Sequence, residues 1–159
     1  MNITVIAVGK LKEKYWQDAV GEYSKRLGKY CGFFVKELKE VPLPANASSA
    51  DEEAVKEAEG REILAAVRRA DYVITLEIKG RSLSSEALAD HMKNMALDGK
   101  SNLTFVIGGS LGLSADVSRR ADYKLSFSQM TFTHQMMRVI LLEQIYRSFK
   151  INRNETYHK

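Results

Sequence analysis

One cysteine, two prolines and one tryptophan in 159 residues leave little of what staples or punctuates a small chain. The lone Cys31 excludes an internal disulfide, so stability must come from a packed core. In its setting, Tyr30-Cys-Gly-Phe33, it reads as a small half-buried hydrophobe and not as a nucleophile. Pro42 and Pro44 stand together and mark one loop. No apolar window is long enough to span a bilayer, and residues 1–9 lack the basic start of a signal peptide, so a cytoplasmic protein is expected. Repeats and low-complexity tracts are absent. The three histidines, His91, His134 and His158, show no metal-ligand spacing. His91 falls among polar helix positions and reads as solvated; His134, at a helix start, reads as structural. No Ser/His/Asp set supports hydrolase chemistry.

Two phosphate motifs are also missing. Gly108-Gly-Ser-Leu-Gly112 has glycines at relative positions 1, 2 and 5, which fails G-x-G-x-x-G, and no acidic residue follows on a strand to hold a ribose. Gly99-Lys-Ser101 looks like the end of a P-loop, but Asn94 stands where glycine is required and the triplet precedes a strand. A nucleotide-dependent oxidoreductase or kinase is therefore disfavoured.

What is present is an alternation of strand and helix patterns over a length suited to a single domain, residues 1–159. With 45% hydrophobic and 28% charged residues the composition is that of a globular α/β chain. Strands are expected over residues 3–8, 34–41, 72–78, 103–107 and 125–127. Helices are expected over 12–29, 49–70, 85–98, 114–121 and 134–149. The first has Tyr15, Trp16, Ala19, Val20, Tyr23 and Leu27 on one face; the third has Leu88, Met92 and Met95 inward. Ser49 followed by Glu52 predicts a capping box at the second. The last helix is apolar nearly all round: Leu142, Ile145, Tyr146 and Phe149 on one face, Met136, Met137, Val139, Ile140 and Leu141 on much of the rest. A helix of that kind is buried on more than one side, which suggests a homodimer packed through it.

Ligands of open α/β sheets bind at the carboxyl ends of strands. Two such junctions stand out, the glycine-rich turn at 108–112 and residues 128–133 before the last helix. Three glycines in five residues exceed what one turn needs and suggest close approach of backbone to a ligand. The net charge is +4, and residues 138–159 carry five Lys/Arg against two Glu, giving +3 of it. Glu143 and Arg147 can pair at i,i+4; Arg153, His158 and Lys159 have no local partner. Arg138 is a candidate anion ligand.

Gly108-Gly-Ser-Leu-Gly-Leu113, the segment from Leu125 to Phe132, His134-Gln-Met-Met-Arg138, Glu143-Gln-Ile-Tyr-Arg147 and Tyr157-His-Lys159 together resemble the RlmH family, as do Val8-Gly-Lys-Leu-Lys12 and Glu22-Tyr-Ser-Lys-Arg26. These are small SPOUT-superfamily methyltransferases of the bacterial large ribosomal subunit. The resemblance runs the length of the chain. It implies an α/β fold with a mostly parallel sheet, flanking helices and a C-terminal trefoil knot. It also implies a homodimer and methyl transfer from S-adenosylmethionine to N3 of a pseudouridine in 23S rRNA, in the large subunit or the assembled ribosome, without a metal. The positions that match the family's cofactor site are Leu76, Gly108, Phe127, Ser128, Gln129, Met130, Thr131 and Phe132. On the substrate side, Arg153, Tyr157 and His158 are the candidates, His158 or Tyr157 orienting or deprotonating the base. Thr133 stands where the family pattern has proline, which should loosen the cofactor loop. Asn154 and Thr156 stand where it has glycine and proline. A non-catalytic ribosome- or RNA-binding module is the alternative.

Overall fold

A computed structural model describes Met1–Lys159. Five strands and five helices alternate: β1 (Asn2–Val8), α1 (Lys14–Leu27), β2 (Gly32–Leu38), α2 (Ser49–Ala66), β3 (Tyr72–Ser82), α3 (Ser85–Leu97), β4 (Asn102–Ile107), α4 (Ala115–Arg120), β5 (Tyr123–Ser126) and α5 (His134–Asn152). The strands form one sheet in the order β2-β1-β4-β3-β5, and every neighbouring pair is parallel. A helix after each strand makes this necessary, since it returns the chain to the end where it began.

The strand sequences set the two faces. Ile3, Val5 and Ala7 of β1 join Leu103, Phe105 and Ile107 of β4 and Ile74 of β3 in one apolar cluster, with α1, α3 and α5 supplying Leu27, Leu88, Met92, Leu141, Leu142 and Ile145. The alternate residues Ile6, Val8, Val73 and Val106 face the other way, against Ile63 of α2 and Val117 of α4. Both faces of a parallel sheet are thus covered, and its strands read as near-continuous apolar runs. The steps β1 to β2 and β3 to β4 run towards one edge through helices on the first face. The steps β2 to β3 and β4 to β5 run towards the other edge through helices on the second, as a single crossover hand requires.

Several local expectations shift. The capping box of α2 is Ser48 with Asp51, one residue earlier than the Ser49–Glu52 pattern, and that helix ends at Ala66. Strand β3 runs on to Ser82 with a register break between Leu76 and Arg81 opposite Leu125. Tyr15, expected on the inner face of α1, is 64% exposed. Cys31 donates to the Leu27 carbonyl at 3.7 Å, and burial pushes its thiol up to about 11, consistent with a packing role. Helix α5 packs within its own chain against α1, α3 and the sheet, which buries Leu141, Leu142 and Ile145, while Met136 stays 40% exposed. No helix is long and apolar enough to cross a membrane.

His91 is not solvated. Its ring lies 4.4 Å from that of Tyr123 and 5.9 Å from that of Tyr72, and its Nε2 is buried without a partner. Burial lowers its pKa from the ordinary 6.5. A histidine held neutral contributes stability that is complete above that ordinary value and declines as pH falls below it, because the unfolded chain then binds the extra proton. His134 is lowered in the same direction. Chemical denaturation between pH 7.5 and 5 should show stability falling towards acid, and His91→Phe should reduce that slope; an identical slope in the variant would remove His91 as a cause.

Candidate functional site

The carboxyl ends of β3, β4 and β5 open into a cleft of about 760 Å³. Its floor is Leu76, Ile107 and Leu125 from the three strands, and its walls are Glu77 and Ile78 of β3 with the loops that follow β4 and β5. The turn after β4 closes on itself, Gly112 N–H donating to the Gly109 carbonyl at 3.1 Å. Gly112 has φ +85°, and a side chain at Gly108 would meet the Gly112 backbone at 2.9 Å. The turn's own packing thus asks for glycine at 108 and 112, and Gly108, Gly109 and Gly112 all line the cleft.

The loop after β5 is held by its serines. Buried Ser126 donates to the Ile78 carbonyl at 2.9 Å, tying this loop to that of β3, and Ser128 Oγ accepts from Met130 N–H at 2.9 Å. Thr133 ends the loop. It has φ −62°, within the range proline would impose, and its hydroxyl caps α5 by accepting from Met136 N–H at 3.3 Å. The loosening expected from the absent proline is offset by this cap.

Of the eight residues matched to a cofactor site, Leu76, Gly108, Phe127, Ser128, Met130, Thr131 and Phe132 all line this one cleft; Gln129 does not. Sequence reasoning passed over Glu77, His134 and Met137, which line it too. Glu77 directly follows Leu76, and its carboxylate accepts from Thr75 Oγ1 at 2.7 Å and Ser118 Oγ at 3.0 Å, fixing the start of the β3 loop against α4. At the mouth, Ile78 and Met130 are 52% and 74% exposed, an apolar rim facing outwards.

Arg138 is not an anion ligand. It is 1% exposed, and its donors go to the Val8 and Gly9 carbonyls, both at 2.8 Å, and to Glu37 at 2.9 Å. Its neighbour one turn back, His134, comes within reach of the same β1 end.

Arg153, Tyr157 and His158 are absent from the cleft wall. The tail that carries them is nonetheless pinned and not frayed. Asn154, with φ +52°, closes α5: its N–H bonds the Ile151 carbonyl and Glu155 N–H bonds the Lys150 carbonyl. This is the paired closure that usually takes glycine, and asparagine tolerates the same left-handed backbone. Nothing in the structure explains Thr156. Arg153 stacks over Tyr30 at 4.7 Å. The Tyr157 phenol donates to Glu143 at 3.0 Å; burial first, then Tyr23 and Glu143, raise its pKa far above neutral, so it is a donor and not a base. His158 lies 2.7 Å from Glu86, whose carboxyl is held down to about 2 by its own backbone N–H at the start of α3, by Ser84 and by His158.

The tail cations are largely neutralised: Arg147 by Glu143, Lys150 by Glu155 and Arg138 by Glu37. Exposed cations outside every ion pair are spread over the surface, among them Lys25, Lys29, Arg61, Lys93 and Lys100, with Arg153 and Lys159 in the tail itself. Of the exposed cations, Lys10, Lys12, Lys39, Lys79 and Arg81 lie beyond or at the carboxyl ends of β1, β2 and β3, the end that carries the cleft.

Comparison with known proteins agrees with this geometry. The family described as "Predicted SPOUT methyltransferase" matches residues 1–158. A protein of Clostridium novyi named ribosomal RNA large subunit methyltransferase H is 58% identical over 159 residues, all of both chains. Proteins of the same name from Clostridium kluyveri and Clostridium botulinum are 54% identical, again over the full length of both. A solved structure of a probable methylase family protein from Haemophilus influenzae superposes with a TM-score of 0.55 over 99% of this chain and 70% of that one, at 14% identity, a likeness of fold alone. Sequence, fold and cleft place this chain in the SPOUT methyltransferase family.

Proposed function

We propose that the chain, as one domain spanning residues 1–159, is a cytoplasmic homodimeric enzyme. It moves a methyl group from S-adenosylmethionine to N3 of a pseudouridine in 23S rRNA, in the large subunit or the assembled ribosome. The observation that carries this is the cleft: three loops at the carboxyl ends of three parallel strands, lined by seven of the eight residues matched to the family's cofactor site. Its volume of about 760 Å³ falls in the range of small-molecule sites. Its apolar floor suits an adenine ring, and the main chain of residues 127–132 offers polar groups along one wall. We also propose that the chain is threaded as a trefoil knot here. In support, residues 128–133 carry it from edge strand β5 past the β3 and β4 loops to α5, whose Arg138 is bonded at the end of β1.

S-adenosylmethionine supplies a sulfonium methyl with a good leaving group already attached. What remains for the protein is to hold the acceptor nitrogen in line and accept its imide proton. Arg153, Tyr157 and His158 are the substrate-side groups in this reading. Tyr157, a donor at neutral pH, orients, which leaves His158 or water to take the proton. Lys79 and Arg81, in the last part of β3 beside the cleft, are the phosphate contacts, with Lys10, Lys12 and Lys39 behind them. The non-catalytic binding module drew on Thr133, Asn154 and Thr156; Thr133 has a φ that proline also adopts and Asn154 a positive φ that glycine also adopts, while Thr156 has no structural account.

Calorimetric titration should give saturable S-adenosylmethionine binding at one site per chain, or half that in an asymmetric dimer; no binding overturns the enzyme reading. Removing residues 156–159 should leave that binding intact and abolish methylation of ribosomes, and retained methylation would exclude the tail from catalysis. RNA affinity should fall steeply with salt, and Lys79→Ala with Arg81→Ala should flatten the dependence by about 0.7–0.9 in log–log slope per lost phosphate contact; an unchanged slope would place the RNA elsewhere.

A further inference from the structure

Outside the cleft, the most connected polar cluster is the one that holds residues 157 and 158. Glu143 and Arg147 stand one turn apart on α5 and pair at 2.5 Å. The Arg147 guanidinium lies over the Tyr157 ring at 4.7 Å, while Tyr146 meets the same ring edge-on at 4.9 Å. Its other arm, Nη1, lies 3.2 Å from His158 Nδ1. A guanidinium has donors only, so Nδ1 must accept. The ring proton then sits on Nε2, which faces Glu86 Oε1 at 2.7 Å. Arg147 and Glu86 between them leave His158 a single tautomer.

The cluster also reaches a smaller cavity beside the cleft. The second oxygen of Glu143 accepts from Gln144 Nε2 at 2.7 Å, and Gln144 Oε1 accepts from Ser85 Oγ at 2.7 Å. Gln144 and Ser85 wall a cavity of about 180 Å³ that shares Leu125 and Phe127 with the main cleft. A plain i,i+4 ion pair on a helix needs neither the second guanidinium arm nor its stacking on Tyr157.

We propose that Arg147, steadied by Glu143, is the positioning residue of the methyl-acceptor side, setting the tautomer of His158 and the ring plane of Tyr157. This rests on the reading of the tail as substrate-facing. Arg147 acts through the tail and does not touch the substrate itself.

The test uses the full chain and Arg147→Lys, which keeps the charge and the pair with Glu143 but loses the planar fork. Three quantities are measured: kcat and KM on ribosomes, S-adenosylmethionine affinity by calorimetry, and the nitrogen-15 resonances of the His158 ring. The expected result is an unchanged donor affinity, an unchanged KM for ribosomes, His158 resonances moved away from the Nε2-protonated pattern, and kcat lower by roughly 10- to 100-fold. A purely structural role would be rescued by lysine. Wild-type kcat in Arg147→Lys, or wild-type His158 resonances, overturns the inference. So does a donor-affinity loss that accounts for the whole defect. Glu86→Ala, at an exposed position that does not threaten folding, should move the same His158 resonances, and no movement likewise counts against it. The tail deletion separates the two layers. If the chain lacking residues 156–159 keeps wild-type kcat, the substrate-facing tail fails and this inference with it. If the deletion abolishes turnover while Arg147→Lys is wild type, only the positioning role fails.

Discussion

The buried guanidinium of Arg138 is the contact on which the site's geometry depends. Removing a cation from water costs several kcal/mol unless its donors are met. Here three bonds meet its two terminal nitrogens, Nη2 to the Val8 and Gly9 carbonyls at the end of β1 and Nη1 to Glu37 of β2, while Nε is buried without a partner. Burial pushes the Arg138 pKa below its ordinary value, against the opposing pull of Glu37. The arrangement is reciprocal. The Val8 and Gly9 carbonyls would lack these donors, and α5 would have nothing to fix its first turns over the central strands. Breaking one partner of such a pair typically costs about 3–5 kcal/mol. Because His134 and Met137 flank Arg138 and line the cleft, the register of α5 on β1 decides where the third loop must run.

The loops then need only local chemistry. Ser126 joins the β5 loop to the β3 loop, Glu77 joins β3 to α4, and Thr133 caps the helix that Arg138 has placed. Each is a short-range hydrogen bond at the rim of a sheet whose interior is almost wholly aliphatic. Polar rigidity is concentrated where a ligand would need fixed walls, and the apolar core supplies the platform.

Much of this was legible from residue order. The alternation of strand and helix patterns pointed to a parallel sheet covered by helices, and strand ends located the cleft. What stayed hidden depends on distant partners. Nothing near Arg138 in sequence says that its guanidinium will meet β1, 130 residues away, so its position at a helix start suggested an anion ligand instead. His91 looked solvated because its helical neighbours are polar; Tyr72 and Tyr123 reach it only across the sheet. The glycine-rich turn pointed to the right place for an incomplete reason, since its backbone folds on itself. The family resemblance named the loop residues, while the departures at Thr133 and Asn154 gained a meaning only from their dihedral angles, which proline and glycine respectively also adopt.

The ordered tail bears on assembly. Glu143 lies nine residues beyond His134, about 14 Å along α5 at 1.5 Å per residue, and Tyr157 is tied to Glu143. Within one chain, bringing Tyr157 and His158 to the cleft would break their bonds to Glu143, Arg147 and Glu86 together. A second copy meets the same need without that cost, because an intact tail can be presented to a neighbouring cleft. The exposed Ile78, Met130, Phe132 and Met136 around the cleft mouth are the apolar surface such a neighbour would cover. The proposed dimer thus rests on that apolar surface together with a tail already rigid and lying outside the cleft of its own chain.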